Sequence, residues 1–264
     1  MNARVYTIVN QKGGVGKTTT AINLGAYLGQ YGQRVLIIDL DSQANATSCL
    51  GIDKRTIRTG TYEVLIGAAP IASNILRNQR YHLSLLPSSP ALAGAEVELI
   101  NTPNRNTRLA EVIEPVLDRY DYILIDCPPS LSLLTVNGLV AAKDGVLIPV
   151  QCEYLALEGL TQLTQTLDRV RNALSPNLKI RGVILTMYDG RTKLAQDVVT
   201  EVNRFFPNKV FRTIIPRSVR LAECPSYGQP ISIYAPESAA ARGYNGLAQE
   251  ILEQDGVPIP APQT

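Results

Sequence analysis

The chain has few of the features that mark membrane-spanning, disulfide-bonded or metal-centred proteins. It has no run of 18 consecutive apolar residues, so the sequence predicts no membrane-spanning helix. Only four cysteines occur among 264 residues, no two form a CxxC pair, and no histidine lies near them. This pattern favours buried, reduced thiols over a metal or disulfide site. The four are Cys49, Cys127, Cys152 and Cys224.

Histidine is scarce, and the aromatic residues do not form a cluster in the sequence. His82 is the only histidine and precedes a predicted strand, so we interpret it as a packed or surface residue rather than a catalytic one. The twelve tyrosines are scattered, which does not support a base-stacking platform. The first residues lead directly into a strand, so we expect no signal peptide and a cytoplasmic location.

Strands and helices alternate along the chain, as the spacing of apolar residues indicates. Arg34–Leu40 is almost continuously apolar, which is typical of a strand buried on both faces of a parallel sheet. Thr18–Tyr31 has helical spacing and stops at Gly32. Further strands are predicted at 4–10, 83–86, 122–126, 145–150, 180–187 and 210–215, and further helices at 108–119, 131–142, 155–173, 194–206 and 237–254. The alternation predicts an α/β fold with a doubly wound, mostly parallel sheet and helices on both faces.

The length and apolar content predict one domain rather than two. With 264 residues, of which 45% are hydrophobic, the sequence has enough apolar material for one sizeable core. We assign this domain to residues 1–255. Residues 256–264 are rich in proline, and we expect them to form a disordered tail.

A glycine-rich segment lies between the first predicted strand and the first helix. Residues 12–18 read Lys-Gly-Gly-Val-Gly-Lys-Thr, and a strand before and a helix after are the context that a phosphate-binding loop requires. Glycines allow backbone N–H groups to turn toward a triphosphate, and the helix N-terminus adds partial positive charge. The loop residues that we assign to nucleotide binding are Gly13, Gly14, Val15, Gly16, Lys17, Thr18 and Thr19. This motif makes the predicted fold one of the P-loop NTPase type.

Three side chains of this loop have predicted roles toward ATP and Mg²⁺. Lys17 is expected to reach the β and γ phosphate oxygens, and the Thr18 hydroxyl to ligate Mg²⁺, which prefers oxygen ligands. Thr19 is expected to bond the α phosphate. The sequence therefore predicts an ATP and magnesium site.

A second lysine, Lys12, stands at the start of the loop. The usual phosphate-binding loop contacts the phosphates with one lysine only. Lys12 enters on the side away from the helix N-terminus, so it is poorly placed to reach the γ phosphate of its own subunit. Phosphoryl transfer requires neutralisation of charge on that group, and Lys12 could supply it to a facing subunit. The sequence therefore predicts a homodimer that encloses ATP.

Three aspartates follow strands whose carboxyl ends meet beside the loop. Asp39 and Asp41 are two residues apart at the end of the second strand, so both can face the phosphates. Asp126 ends another strand. We assign Asp126 to Mg²⁺ through water, Asp39 to the outer shell of the metal, and Asp41 to orienting the attacking water. A capping role or a buried salt bridge remains an alternative for each.

Positive charge is concentrated in one segment. The net charge of the chain is only +2, but residues 179–220 carry nine basic and three acidic side chains, a net +6 that leaves −4 for the rest. Such asymmetry is consistent with a surface that faces a polyanion, or with a solvated charged face.

Taken with their spacing, these segments resemble the ParA/MinD ATPases that carry a deviant Walker A motif, and in particular the Soj-type chromosome-partitioning members. The resemblance covers about residues 4–250. The segments that carry it are 10–19, Asp39-Leu40-Asp41, 122–130, 149–154, 158–160, 186–192 and 215–223.

The resemblance implies a cycle of ATP binding, DNA binding and release. In that family, ATP drives a sandwich dimer in which the lysine at the position of Lys12 crosses to the partner's nucleotide. The dimer binds double-stranded DNA without sequence preference, and a ParB/Spo0J-type centromere-binding protein stimulates hydrolysis and releases it. The resemblance implies nucleoid association and a DNA-binding role for Arg191, Arg217 and Arg220. It also implies positions near the adenine for Met187 and Pro216.

Two departures and one rival reading accompany this resemblance. The family often has proline and glycine where this chain has Ser42 and Ala44, which changes the stiffness of that loop. With the phosphate loop at residue 12, we expect no N-terminal helix-turn-helix domain and no operator-specific repression. The alternative is a MinD-like membrane-cycling ATPase of the cell-division site. Such proteins end in a basic amphipathic helix, whereas no lysine or arginine follows Arg242 here.

Overall fold

One seven-stranded sheet organises the part of the chain that the computed structural model describes, residues 2–153 and 156–259. Tyr154, Leu155 and residues 260–264 of the predicted tail lie outside it. The strands are β1 (Arg4–Ile8), β2 (Val35–Asp39), β3 (Leu76–Asn78), β4 (Leu83–Leu86), β5 (Tyr122–Asp126), β6 (Gly145–Gln151) and β7 (Ile180–Thr186). Their order in the sheet is β3-β4-β2-β5-β1-β6-β7. Only the β3–β4 pair is antiparallel among these strands, which confirms a mostly parallel sheet.

Helices cover both faces of the sheet. They are α1 (Lys17–Gln30), α2 (Asn45–Cys49), α3 (Thr61–Ile66), α4 (Ala95–Leu99), α5 (Arg108–Ile113), α6 (Leu133–Ala141), α7 (Ala156–Ala173), α8 (Lys193–Phe205), α9 (Val219–Tyr227), α10 (Ile231–Tyr234) and α11 (Ala239–Gln254). Short 3-10 turns occur at 71–73, 79–81, 90–94 and 114–116. No helix in the described ranges has the length and apolar character needed to cross a membrane.

Alternate residues of the central strands belong to two separate cores. Leu36 and Ile38 face one core, which contains α6, α7 and α8, whereas Val35 and Ile37 face the other, which contains α1 and α11. Because every residue of β2 and β5 is buried, these strands need apolar side chains on both faces. This burial explains the continuous apolar runs in the sequence.

The parallel register brings the predicted carboxylates to one edge of the sheet. Asp39, the last residue of β2, pairs with Asp126, the last residue of β5. Asp126 also pairs with Ile8 of β1, directly before the glycine-rich loop. The fold therefore places both aspartates beside that loop.

The predicted strand over 210–215 is wrong. This segment makes one isolated bridge, between Val210 and Val183, and the backbone N–H groups of Phe211 and Ile215 donate to carbonyls of β7 (2.9 Å each), but it does not form a strand of the sheet. The buried Glu250 carboxylate accepts hydrogen bonds from the backbone N–H groups of Arg212 (2.9 Å) and Thr213 (3.1 Å). Those N–H groups are therefore bonded to a side chain of α11 instead of a strand carbonyl.

The structure also differs from the sequence prediction at one helix end, at one unpredicted helix and at the start of the tail. Pro115 ends α5 early, because proline cannot continue an α-helix, and the predicted helix to residue 119 becomes a 3-10 turn. The helix α9 was not predicted. At the chain's end, Val257 and Ile259 of the predicted tail pack against the core that contains α11.

A close helix-to-sheet contact sets the position of the segment after β5. In α6, Gly138 accepts a hydrogen bond from the Thr7 hydroxyl of β1 (2.6 Å). A Cβ atom added at Gly138 would lie 2.6 Å from the Cys127 sulfur, so only glycine fits there without movement. Cys127 follows Asp126, and this contact therefore supports the carboxylate edge.

We predict that Gly138→Ala lowers the free energy of unfolding by about 1–3 kcal/mol, because the added methyl overpacks a buried site. Urea denaturation of both proteins measures the change. Gly246→Ala in α11 is the matched control, since its Cβ would meet Thr213 at 3.4 Å. The control should be neutral or up to about 1 kcal/mol more stable, because alanine is the better helix former. Equal stability of Gly138→Ala and the wild type would contradict the packing argument.

Candidate nucleotide site

The glycine-rich loop joins the carboxyl end of β1 to the N-terminus of α1. Gly14 (φ 75°) and Gly16 (φ 92°) both have left-handed backbones, and Gly16 directly precedes α1. Gly13 and Gly14 are exposed, and no atom lies within 4 Å of a Cβ added at either. The first turn of α1 has no acidic side chain, so its partial positive charge is not neutralised locally. This end of the loop is suited to an anion.

Contacts with two other strands hold the loop in place. The Asn10 amide donates to the Pro149 carbonyl of β6 (2.8 Å), while its oxygen accepts from the Lys12 N–H (3.0 Å). On the other side, the Thr186 hydroxyl of β7 donates to the Val15 carbonyl (2.9 Å). These contacts fix the loop backbone before any ligand is present.

The two lysines of the loop have different surroundings. Lys17 is 7% exposed, and its ammonium donates to the Lys12 carbonyl at 3.2 Å. Burial lowers the pKa of Lys17, and the nearby charge of Asp126 opposes that shift. Lys12 is half-buried, and its ammonium has no hydrogen-bond or ion-pair partner in the described ranges. Lys17 therefore points into the site, while the Lys12 charge is left uncompensated.

Asp126 is a buried carboxylate without a partner. Neither of its oxygens accepts a hydrogen bond from the described residues. Burial, together with the charge of Asp39, raises the pKa of Asp126 to about 8. Thr18 lies close enough to lower this pKa, but its hydroxyl is outside hydrogen-bonding geometry. An unpaired buried carboxylate is costly, and a cation beside Thr18 would compensate for it.

Asp39 is also fully buried, but both of its oxygens have partners. One accepts from the Thr47 N–H (2.8 Å) and hydroxyl (2.7 Å), and the other from the Asp41 N–H (3.3 Å). Burial raises the pKa of Asp39 to about 6. Asp39 thus anchors the start of α2, which matches the capping alternative, and it leaves less capacity for a metal than Asp126 does.

The Asp41 backbone is held by residues that the sequence analysis missed. The Ser88 hydroxyl donates to the Asp41 carbonyl (2.8 Å), and the Ser88 N–H donates to the Thr47 hydroxyl (2.9 Å). The Asp41 carboxylate accepts only from the Gln43 N–H (2.9 Å) among the described residues. One signal was available in the sequence, because Ser88 follows β4 at the same edge where Asp39 ends β2.

Ala44 occupies a left-handed position with φ 52°. It is fully buried and directly precedes α2. Glycine adopts this conformation without strain, whereas alanine does not. Alanine at position 44, where the family often has glycine, therefore places backbone strain between Asp41 and Thr47.

Met187 and Pro216 line one cavity together with the loop. The cavity has a volume of about 260 Å³ and includes Gly16 and Thr19 on its loop side. Tyr188, next to Met187, forms an isolated bridge with Pro216, which brings the two segments together. The structure thus places both residues beside the phosphate loop.

Known proteins share this arrangement of loop and sheet. A family model described as an AAA domain (AAA_31) matches residues 3–180. The chain is 50% identical over 252 residues to the chromosome partitioning protein ParA of Myxococcus xanthus, which covers 96% of this chain and 89% of that one. It is 50% identical over 248 residues to the sporulation initiation inhibitor protein Soj of Bacillus subtilis, covering 94% and 98%. This chain belongs to the ParA/Soj family of chromosome-partitioning ATPases.

Solved structures agree with the ParA/Soj assignment at the level of the fold. Cobyrinic acid a,c-diamide synthase from Mycobacterium smegmatis, with a bound ATP analogue and magnesium, is 35% identical with a TM-score of 0.85, covering 98% of this chain and 99% of that one. The septum site-determining protein MinD from Pyrococcus horikoshii, complexed with Mg-ADP, is 29% identical with a TM-score of 0.78, covering 96% and 98%. Both comparisons confirm the P-loop NTPase fold.

The three arginines that the resemblance links to DNA binding are all exposed, and Arg217 lines the cavity that contains Met187 and Pro216. Arg191 is 89% exposed and pairs with Asp189 (2.6 Å), which holds the pKa of that carboxyl at about 2. Arg220 on α9 is 62% exposed and pairs with Glu223 (3.0 Å). Arg217 is exposed, lines the cavity, and donates its N–H to the Tyr188 carbonyl (2.9 Å). These arginines of the ParA/Soj-family chain occupy neighbouring segments.

Other basic residues of segment 179–220 have structural partners. Arg181 forms an ion pair with the nearly buried Asp255 (2.9 Å), which also accepts from the Tyr6 and Tyr122 hydroxyls. Arg212 pairs with Glu253 (3.2 Å). The charges of Arg181 and Arg212 are therefore offset by carboxylates at the end of the chain's last helix, and only the Arg181 pair is largely buried.

The raised pKa of Asp126 predicts a pH-dependent stability in the absence of nucleotide and metal. An unfolded aspartate has a pKa of about 3.9, so the folded state binds more protons between about pH 4 and pH 8. The free energy of unfolding should therefore fall by more than about 1 kcal/mol as pH rises from about 5 to 8. Chemical denaturation in EDTA at several pH values measures this slope.

Asp126→Asn should flatten that slope, leaving the smaller contribution of Asp39. The exposed Asp118→Asn is the control for a lost carboxylate, and it should keep the wild-type slope. An Asp126→Asn protein whose stability falls with pH as steeply as the wild type would show that Asp126 is ionised throughout.

Proposed function

We propose that the chain is an Mg²⁺-dependent partitioning ATPase, which hydrolyses ATP to ADP and phosphate in a single domain over residues 1–255. The observation that carries the proposal is the unpaired Asp126 beside Thr18 and the phosphate loop. A buried carboxylate without a donor fits a site that is completed by a cation. The relatives with bound magnesium and adenine nucleotides support the same reading.

Each residue of the site has a distinct part in hydrolysis. The Thr18 hydroxyl and, through water, Asp126 would hold Mg²⁺. When bound there, the metal would neutralise charge on the β and γ phosphates. Lys17 would leave the Lys12 carbonyl and bind the γ phosphate, since its ammonium is already directed into the site. Asp39 would stay in the outer shell, fixed by its Thr47 contacts.

Asp41 would orient the attacking water. Its carboxylate accepts one backbone hydrogen bond and lies 7% exposed at the end of β2. The Ser88 contact to its carbonyl limits backbone movement, which favours a fixed approach of the water to phosphorus.

Lys12 would complete the site of a second subunit. Lys12 is half-buried, its ammonium has no partner among the described residues, and Gly13 and Gly14, which follow it in the loop, are exposed. Leu131, close after Asp126 in the chain, is 47% exposed and adds apolar surface. These features support an ATP-enclosing homodimer in which Lys12 stabilises charge on the partner's γ phosphate.

The exposed arginines would then serve as the DNA face. Nonspecific DNA binding depends mainly on contacts to phosphates, and two faces joined in a dimer bind more tightly than one. ATP would therefore control whether the protein stays bound to the double-stranded DNA of the nucleoid. A ParB-type partner would end that binding by stimulating hydrolysis. The partitioning relatives at 50% identity support this cycle.

We predict that the chain retains DNA with ATP but not with ADP or without nucleotide. Lys12→Ala should lose ATP-dependent retention because the dimer does not form, whereas Asp41→Ala should keep it and hydrolyse ATP at least about tenfold more slowly. Filter retention of a fluorescent duplex, with hydrolysis followed in parallel, measures both. If the Lys12→Ala variant still dimerises with ATP and hydrolyses it at the wild-type rate, the proposed role of Lys12 is wrong.

We predict that Arg191→Ala reduces ATP-dependent DNA retention and the salt dependence of binding, because fewer phosphate contacts release fewer counterions. The slope of log affinity against log salt measures this effect. Arg204→Ala is the matched control, since Arg204 is 77% exposed in the same basic segment but lies at the far end of α8 from Arg191. Equal slopes for Arg191→Ala and the wild type would exclude Arg191 from the DNA face.

A further inference from the structure

A second cleft lies at the edge of the sheet opposite the phosphate loop. It has a volume of about 570 Å³ and is bordered by the amino ends of β2 and β4, the end of β3 and the C-terminus of α1. The phosphate loop follows the carboxyl end of β1, and β1, β2 and β4 run in the same direction. The two sites are therefore separated by the length of the strands.

The lining of this cleft is positively charged. It includes Arg34, Arg77 and Arg119, and no carboxylate is among its lining residues. Arg34 is already neutralised, because Asp121 accepts from its guanidinium at 2.8 and 3.0 Å. Arg77 and Arg119 are exposed and make no ion pair or side-chain hydrogen bond within residues 2–153 and 156–259. Two guanidinium groups thus remain available to an anion.

The floor of the cleft is apolar. Val35, Leu83 and Tyr120 line it and are 2%, 3% and 7% exposed. Ser84, which is nearly buried, is also a lining residue. A cleft with an apolar floor, a few polar groups and a volume between about 300 and 1,000 Å³ is typical of small-molecule sites.

The walls of the cleft are set by close packing. A Cβ atom at Gly29 of α1 would lie 2.5 Å from the His82 carbonyl, so glycine allows α1 to contact the turn before β4 directly. Two of the last carbonyls of α1 accept hydrogen bonds from the chain itself. The Gly32 N–H donates to the Gly29 carbonyl (2.9 Å), and the Gln33 N–H donates to the Leu28 carbonyl (3.1 Å). Because these carbonyls are already hydrogen-bonded, the C-terminus of α1 repels a bound anion less strongly than a helix end with unpaired carbonyls would.

We propose that this cleft binds a small phosphorylated molecule with a planar apolar body, of the size of a nucleoside monophosphate. Arg77 and Arg119 would bind the phosphate, since guanidinium groups match phosphate oxygens in pairs. Val35, Leu83 and Tyr120 would contact the apolar body. A nucleic-acid strand fits less well, because two free arginines over an apolar floor do not form the extended basic stripe that a backbone requires.

The test uses the full chain and three probes: GMP, guanosine and inorganic phosphate. Calorimetric titration is done with and without Mg-ADP, which occupies the phosphate loop. GMP should bind in both conditions and more tightly than guanosine or phosphate. The double variant Arg77→Ala/Arg119→Ala should weaken GMP binding about tenfold or more, because two charge-assisted hydrogen bonds are lost.

Arg80→Ala is the matched control, since Arg80 is exposed beside the cleft, packs over the Tyr81 ring and is not a lining residue. It should bind GMP like the wild type, and thermal unfolding should show that both variants stay folded. Loss of GMP binding in Mg-ADP would place GMP in the phosphate loop and overturn the proposal. Absence of GMP binding, equal binding of guanosine, or an unaffected double variant would also overturn it. Displacement of GMP by a DNA duplex through the same two arginines would assign the cleft to nucleic acid instead.

Discussion

The in-register parallel pairing of β1, β5 and β2 is the constraint on which the candidate site depends. It aligns Ile8, Asp126 and Asp39 across three neighbouring strands, so the phosphate loop and two carboxylates begin at the same edge. Apolar burial on both faces fixes this register, because a slip by one residue would turn every side chain toward the wrong core. Gly138 and Cys127 then set the height of α6 over β1, which supports the segment that follows Asp126.

The site holds a buried lysine and a buried carboxyl group that form no ion pair with each other or with another described residue. Burial lowers the pKa of Lys17 and raises that of Asp126, so each group is pushed toward its neutral form. Natural proteins retain such costs mainly where a ligand removes them. Asp39 differs, because Thr47 and Asp41 already satisfy its oxygens. The same edge of the sheet thus contains one carboxylate used for local structure and another left for a cation.

The cavity beside Met187 extends from the phosphate loop to the exposed Arg217. Pro216, Arg217 and Leu221 line it, and the last of these lies on α9 one residue after Arg220. The other end of α9 meets the loop after α2, where Gly228 packs against Gly51. One helix therefore contacts both the cavity and the segment that follows Asp41 and α2.

By itself, the sequence determined most of the long strands and helices, the phosphate loop and the carboxylates beside it, because these follow from local periodicity and from short motifs. It also led to the family, through segments such as 10–19 and 215–223. Only the tertiary structure decided which partners each side chain meets. Ser88 reaches Thr47 across 41 residues of chain, Glu250 takes the N–H groups that a strand at 210–215 would have used, and Arg77 and Arg119 line one cleft. Such contacts join residues far apart in the chain, and they depend on how the elements pack rather than on the pattern within any one of them.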